Sequence, residues 1–308
     1  MVKEVDYLYI DADEDHIALQ HEEDDSEINK LIYVYEGVEP ETPRSKRHRL
    51  INSHYFGGIC EKTTDNTALW EQVREYIDDN YDVKKIKKIY LGGDGGMWIK
   101  EGRALFNNIE FVMDEFNIKK YEYKIKYNLK DTQDDAIEEL YDIFRKKNKE
   151  ELYKYINKLY DYAKTNKDKE KIKECETYFI NNFDSISLRL IPREYVVGCS
   201  AEGHVSHLLA SRMSSRPMGW TIKGANKITK IRLYRANGNS IYDLVKANTE
   251  ANRIVTLKGI EKDDRVYSAT HIMSDIKRCE KDELKYINQC QAELTPLGKQ
   301  MFAIHDIK

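Results

Sequence analysis

Over residues 5–114 the hydrophobic pattern switches between a period of two and a period near 3.6, and the order of the switches fixes most of the fold. Residues 5–20, VDYLYIDADEDHIALQ, alternate. Tyr7, Tyr9, Asp11 and Asp13 share one face, and Leu8, Ile10 and Ala12 the other. That is a strand. HEEDDSEIN (21–29) reads as a polar turn. LIYVYEGV (31–38) is a second strand and RHRLINSHYFGGIC (47–60) a third. Short connections between them predict an antiparallel meander. Leu69, Trp70, Val73 and Ile77 then recur at helical spacing behind the capping residues Thr63, Thr64 and Asp65. KKIYLGGD (87–94) is a fourth strand, 97–107 a helix with Trp98, Ile99 and Leu105 inward, and IEFVMD (109–114) a fifth strand. Strands separated by helices pair in parallel through crossovers. The expectation is an α/β fold with a mixed five-stranded sheet in the order βββ-α-β-α-β.

Residues 131–181 carry three apolar stripes on a charged background: Ile137, Leu140, Tyr141 and Phe144; Leu152, Tyr155, Ile156, Leu159 and Tyr162; Ile172, Cys175 and Phe179. They predict about three amphipathic helices inserted into the sheet domain. Pro192 closes that region, and 201–213 reads as a further helix. The expected division is 1–130 for the first part of the core, 131–195 for the helical insertion, 196–235 for the helix that completes the core, and 236–308 for a C-terminal helical region.

The 308 residues include 41% hydrophobic and 34% charged side chains, which suits a globular chain with a sizeable core. No apolar run is long enough to span a membrane, and MVKEVDYLYIDAD lacks the layout of a signal peptide, so a cytoplasmic location is expected. Cys60, Cys175, Cys199, Cys279 and Cys290 are scattered, which argues for free thiols. The net charge of −4 speaks against a stand-alone nucleic-acid binder. Its distribution answers that objection. Residues 186–235 hold nine cations (Arg189, Arg193, Arg212, Arg216, Lys223, Lys227, Lys230, Arg232, Arg235) against Glu194 and Glu202. A basic face of that kind binds phosphates even on an acidic chain.

Three carboxylates are placed to build a metal site. Asp13 ends the first strand, Asp94 ends the fourth amid Gly92, Gly93, Gly95 and Gly96, and Glu202 opens a helix far downstream. Hard oxygen ligands suit Mg²⁺ or Mn²⁺. Two such ions activate an attacking oxygen and stabilise the leaving one in phosphodiester transfer. The glycines let the backbone turn sharply and let a polynucleotide approach. Each residue also has an ordinary reading: a solvated acidic edge for Asp11 and Asp13, a tight turn for the glycines, a capping side chain for Glu202. Asp11 rivals Asp13, because both point to one face.

Four stretches resemble insertion-sequence transposases of the Lre type, relatives of the Mutator-like group with an RNase H-like fold. YLYIDADEDHIAL (7–19) resembles their first catalytic strand, YLGGDGGMWIK (90–100) their DGxxWI block, and FVMDEFNIKKY (111–121) their hydrophobic–Asp–x–Phe–His block. AEGHVSHLLASRMSSRPMGWTIKGANKITKIR (201–232) resembles their glutamate helix and is the most specific. The resemblance implies an RNase H-like core interrupted by an all-helical insertion, with Asp13, Asp94 and Glu202 as catalytic and metal-binding residues. It implies double-stranded DNA as partner, both element terminal inverted repeats and target, with cleavage by hydrolysis and strand transfer by the freed 3′-hydroxyl. It also implies a homo-oligomer on DNA, associated with the nucleoid. Two departures stand out. Asn117 occupies the place of the family's histidine, and the first strand lies within ten residues of Met1, where relatives carry a DNA-binding region, so the chain reads as a truncated catalytic piece.

Further candidates follow. Arg47 and Arg49, in the basic run RSKRHR (44–49), are either a solvated hairpin or a contact to the DNA backbone. Arg212, Arg216, Trp220 and Lys223 interleave basic and aromatic groups past Glu202, to grip phosphates and stack on a base, unless Trp220 belongs to the core. His16, Asn117 and His204 are candidates to support the carboxylates from behind. Cys199, His204 and His207 are a less favoured zinc set. Two other functions stay open: an inactive remnant that binds DNA or a full-length transposase, and an RNase H-like nuclease without strand transfer.

Overall fold

A computed structural model describes residues 2–20, 26–60, 63–127, 129, 132–216, 218–247 and 249. The elements run β1 (Tyr7–Ala18), β2 (Ser26–Tyr35), β3 (Gly37–Pro40), β4 (His48–Ile51), β5 (His54–Ile59), α1 (Thr63–Asn80), β6 (Lys88–Gly93), α2 (Met97–Glu101), β7 (Ile109–Met113), α3 (Glu115–Lys126), α4 (Gln133–Arg145), α5 (Lys149–Tyr162), α6 (Asn166–Asn181), α7 (Phe183–Leu190), α8 (Ala201–Val205), α9 (Ser211–Met213) and α10 (Ile222–Ala236). The chain divides into two compact units, Met1–Ile241 and Tyr242–Lys308. All these elements belong to the first unit. In the second, the Thr249 hydroxyl donates to the Val245 carbonyl at 2.8 Å. The helical region expected over 236–308 falls mostly outside the described residues, as do Cys279 and Cys290. Cys60, Cys175 and Cys199 are free thiols. Among the described residues no helix is long and apolar enough to cross a membrane.

The fold is mixed α/β. Five strands form one sheet in the order β5-β2-β1-β6-β7, with β5, β2 and β1 antiparallel and β1, β6 and β7 parallel. The meander and both crossovers match the sequence pattern. Two predicted strands are each split. Residues 31–38 break at Glu36, and 47–60 break at Asn52 and Ser53, so β3 and β4 pair with each other in a separate ribbon. Asn52 adopts φ 51°, a left-handed bend that asparagine tolerates. Its side chain holds the bend by donating to Glu36 Oε2 at 2.6 Å.

The two faces of the sheet carry different cores. One face presents Leu8, Ile10, Ala12, Ile32, Val34 and Leu91 to Leu69, Trp70, Val73 and Ile77 of α1 and to Ile118 and Ile125 of α3. The insertion helices share this core through Leu140, Phe144, Ile156 and Phe179. Four helices fill the insertion where three stripes were read, because Phe183–Leu190 forms its own short helix, which packs against β7. The predicted helix over 97–107 shortens to 97–101 and tightens into a 3₁₀ turn at Gly102–Ala104. There the Trp70 ring lies so close that a Cβ on Gly102 would sit 2.6 Å from Cη2.

The opposite face is floored with tyrosine. Tyr9, Tyr33, Tyr35 and Tyr90 are buried there with Leu31 and Val112, beneath Ala201, Val205 and Leu209 of the downstream helix and Leu233 of α10. Tyr7 stacks on Tyr195 at 4.7 Å and Tyr9 on Tyr35 at 5.2 Å. The rings give this face its burial, and the hydroxyls of Tyr33 and Tyr35 supply buried hydrogen bonds to Asp11.

Candidate functional site

The parallel ladder sets the site. Asp11 pairs with Gly92 of β6, and Gly92 pairs with Val112 of β7. Two residues further along the three neighbouring chains stand Asp13, Asp94 and Asp114. Asp13 does not end its strand as expected, because β1 runs on to Ala18 in its pairing with β2, whereas Asp94 and Asp114 follow directly on the last residues of β6 and β7. Asp13 is half-buried, whereas Asp94 and Glu202 are exposed. Burial pushes the Asp13 carboxyl up to about 7. The Glu14 amide, donating to Asp13 Oδ1 at 2.8 Å, opposes this, and the negative charges of Asp94, Glu202 and Asp114 add to it. The three residues predicted from sequence therefore act on one another electrostatically. Among the described residues none of the three is in an ion pair.

Asp94 sits on the turn that the glycines make. Its Oδ1 accepts from the Gly96 amide at 2.8 Å, and Gly95 takes φ 93°, which favours glycine. Gly92 serves closeness instead. A Cβ there would run into Asp11 Oδ1 and lie 3.3 Å from Cys199 Cβ.

Asp11 and Asp13 divide their roles. Asp11 is buried, and its Oδ2 accepts from Tyr33 Oη at 2.9 Å, Tyr35 Oη at 3.2 Å and the Ser200 amide at 3.1 Å. Burial raises its carboxyl, against the pull of these donors and of the Cys199 thiol. With one oxygen surrounded by protein donors, Asp11 ties β1 to the start of the downstream helix, and Asp13 is left to face the other carboxylates. Asp15, on the same face, accepts from Ser214 Oγ at 2.6 Å, and its Oδ2 is buried without a hydrogen-bond partner.

Glu202 lies in the first turn of α8. The expected helix 201–213 is continuous but widens into a π turn over Ser206–Ala210 before α9. Such turns free carbonyls from the ordinary ladder. Arg232 of α10 takes them up. Its Nε donates to the Leu208 carbonyl and its Nη2 to the His207 carbonyl at 2.9 Å.

Sequence reading missed Asp114 as a site residue, although it lies inside the block FVMDEFNIKKY. It caps α3, accepting from the Phe116 amide at 3.3 Å, and burial raises its carboxyl along with the charges of Asp11 and Glu202. Strand register was the signal that could have found it. Asn117 lies half-buried in the first turn of α3, three positions past Asp114. His204 packs its ring 4.6 Å from Tyr33, and its Nδ1 meets the Ser200 carbonyl at 2.9 Å. Burial lowers its pKa, so the ring is a neutral support for this helix. His16 is a correction. Alternation puts it on the face opposite Asp13, exposed and 3.6 Å from Glu14 Oε1.

The basic candidates scatter. Arg47 is exposed at the ribbon, and Arg49 is paired with Glu39 across it at 2.8 Å. Arg212, Arg216 and Lys223 are exposed around Trp220. Trp220 itself serves packing. Its Nε1 donates to the Met213 carbonyl at 2.8 Å, its backbone bridges to Leu19, and the ring packs beside Ile17 and Ile59, with Arg212 5.4 Å above it.

Among the described residues no three His, Cys, Asp or Glu side chains stand close enough to cage a metal ion as they lie. The zinc set of Cys199, His204 and His207 gains no support. The thiol of Cys199 is held protonated by burial and by Asp11 and Asp114. Oxygen donors are the kind that hard divalent cations take, and a cation near Asp13 would oppose the burial and the neighbouring charges that raise its carboxyl.

Fold and site together define a mixed α/β domain in which Asp94 and Asp114 follow the parallel strands β6 and β7 and act electrostatically on Asp13 of β1. The chain belongs to the UPF0236 family: the profile described as "Uncharacterised protein family (UPF0236)" matches residues 1–248. A UPF0236 protein of Caldanaerobacter subterraneus subsp. tengcongensis is 38% identical over 242 residues, covering 79% of this chain and 49% of the relative, and its name joins eleven locus designations. Another from the same organism is 37% identical over 242 residues, covering 79% of this chain and 50% of the relative. The chain spans about half the length of the curated relatives it matches. No solved structure matches it.

Proposed function

We propose that this chain carries the catalytic part of a DDE-type DNA transposase with an RNase H-like core, of the Lre type within the Mutator-like group. The observation that carries the reading is that Asp13, within β1, feels the negative charges of both Asp94, just past the end of β6, and Glu202, from a distant helix, while none of the three has an ion pair of its own among the described residues. The sheet order β5-β2-β1-β6-β7, with only β2 antiparallel to its neighbours, is the one an RNase H-like core requires. A relative's single name spread over eleven loci of one genome is what a self-copying element leaves behind.

Asp13, Asp94 and Glu202 would hold Mg²⁺ or Mn²⁺, which when bound activates the attacking oxygen and stabilises the leaving one. The protein's own groups do the rest. The glycine turn keeps Asp94 open to a bulky substrate. Asp11, through Ser200, fixes the helix that presents Glu202. Arg232 holds that helix at its π turn. No protein nucleophile is needed, and alignment and charge stabilisation supply the acceleration. Double-stranded DNA, as element ends and as target, is the substrate, and a homo-oligomer pairs the ends at the nucleoid.

The test is Mg²⁺-dependent nicking of a duplex carrying the DNA that flanks the gene, with Asp94→Ala as control. Nicking and joined products in the native chain alone support transposition. Cutting without joining points to an RNase H-like nuclease, and binding without cutting to an inactive remnant that acts as a regulator.

A further inference from the structure

A cleft of about 480 Å³ opens beside the β7 edge, between the core and the insertion, lined by residues that include Lys100, Arg103, Glu110, Lys147, Asp184 and Arg193. Its charge is more lopsided than that composition suggests. Glu110 is neutralised from outside by Lys88 at 2.5 Å, and Asp184 by Lys149 at 3.5 Å. Lys100 donates to the neutral amide oxygen of Asn182 at 2.9 Å. Arg103, Lys147 and Arg193 make no ion pair or side-chain hydrogen bond among the described residues. The four cations thus outnumber the two carboxylates of the lining, Glu110 and Asp184, each of which already has a lysine outside the cleft. Burial and the neighbouring Arg103 both work against the charge of Lys100, and Asp94 favours it.

The cleft borders the turn that carries Asp94. Asn182 Oδ1 would lie 3.2 Å from a Cβ on Gly95, the residue after Asp94. Lys100 and Asn182 therefore connect the basic hollow with the glycine turn. Cations gathered around one hollow make its potential positive, and a row of phosphates spaced along a backbone answers several of them at once.

We propose that this cleft takes the phosphodiester backbone of a DNA strand and delivers it to Asp94. This rests on the transposase reading. It also gives the insertion a role in binding, because Lys147 from the α4–α5 turn and Asn182 from the α6–α7 junction complete a wall that the sheet alone lacks.

The test compares two variants of the whole chain with the same loss of charge. One is Arg103→Gln/Lys147→Asn/Arg193→Gln, where asparagine suits the left-handed backbone at 147 (φ 52°). The other is Lys154→Gln/Lys164→Gln/Lys167→Gln, exposed positions on the insertion away from the cleft. Binding of a labelled duplex is followed by fluorescence anisotropy against salt, without divalent metal. The cleft variant is expected to lose at least about tenfold in affinity, with the log–log salt slope smaller by about 3, and the control variant to bind like the native chain. Should the triple variant not fold, Lys147→Asn and Arg193→Gln carry the test singly, each lowering the slope by about 1. Equal binding by both variants, with a native chain that binds and nicks DNA, overturns the cleft and leaves the transposase reading standing. A native chain that neither binds nor nicks DNA overturns both. Stabilisation of the native chain by micromolar inorganic pyrophosphate, with no DNA binding, assigns the cleft to a small phosphate ligand and overturns it as a DNA path.

Discussion

The backbone amide of Ser200 donates to Asp11 Oδ2 over 3.1 Å, so the strand that carries Asp13 is bonded to the residue two positions before Glu202. The same oxygen collects the hydroxyls of Tyr33 and Tyr35. Asp11→Ala leaves the Tyr35 hydroxyl and the Ser200 amide without this acceptor, while Tyr33 keeps its bond to Ser200 Oγ at 2.8 Å, and each unsatisfied buried group costs about 1–3 kcal/mol. A loss of several kcal/mol in urea unfolding is expected. Asp13→Ala removes a repelled charge and is expected to leave stability unchanged or higher. Equal losses in the two variants would show that the two aspartates do not divide their roles.

Divalent cations discriminate the same pair from another side. Mn²⁺ or Mg²⁺ at tenfold over its Kd is expected to stabilise the native chain by about 1.4 kcal/mol, or roughly 2–4 °C in Tm. Asp13→Asn and Asp94→Asn should abolish the shift. A shift of the same size in both variants would place the ion elsewhere.

Gly92→Ala puts a methyl group into Asp11 Oδ1 and against Cys199. The strand is held on both sides by β1 and β7 and has no room to move. A loss of about 1–3 kcal/mol is expected in thermal unfolding. Gly203→Ala, where a Cβ meets nothing within 4 Å, is the matched control and should be neutral or slightly stabilising.

His54 offers a pH test remote from the carboxylates. Its ring stacks on Tyr76 at 4.2 Å, and burial lowers its pKa below 6.5. The folded state then binds fewer protons than the unfolded one, so this contribution is present above about pH 6.5 and is lost as pH falls toward the folded pKa. The Tm difference between the native chain and His54→Phe is expected to shrink from pH 7.5 to pH 5. A constant difference would remove His54 from the pH dependence.

Arg232→Gln withdraws the donors to the carbonyls of Leu208 and His207. A cost of about 1–3 kcal/mol is expected in urea unfolding. Hydrogen exchange should quicken over 202–213 and leave β1 unchanged. Unaltered exchange there would mean that the π turn holds without Arg232.

The sheet was legible because its two faces differ in chemistry. Leu8, Ile10 and Ala12 against Tyr7, Tyr9, Asp11 and Asp13 announce a strand with a core on one side and a polar rim on the other. Asp13, Asp94 and Glu202 were singled out as a set only through the family resemblance, since composition could not separate a cluster from a solvated edge. What sequence hid was register. Asp114 joins the group because β7 pairs residue for residue with β6, and nothing local in FVMDEF states that. The split of residues 47–60 was hidden likewise, since Asn52 looks like an ordinary strand polar until its left-handed φ turns the chain. Trp220 illustrates the reverse. Its basic neighbours suggested a stacking platform, but the indole is engaged by Met213.

The row of aspartates across β1, β6 and β7 makes the site intolerant of length changes in one particular place. Losing or gaining a single residue inside any of these strands turns its carboxylate through the sheet, into Leu8, Leu91 and Phe111 rather than toward Glu202. Deletions in the insertion helices carry no such penalty for alignment. Length variation among homologues should therefore accumulate between Asp114 and Glu202, and the segments leading to the three aspartates should stay fixed in length.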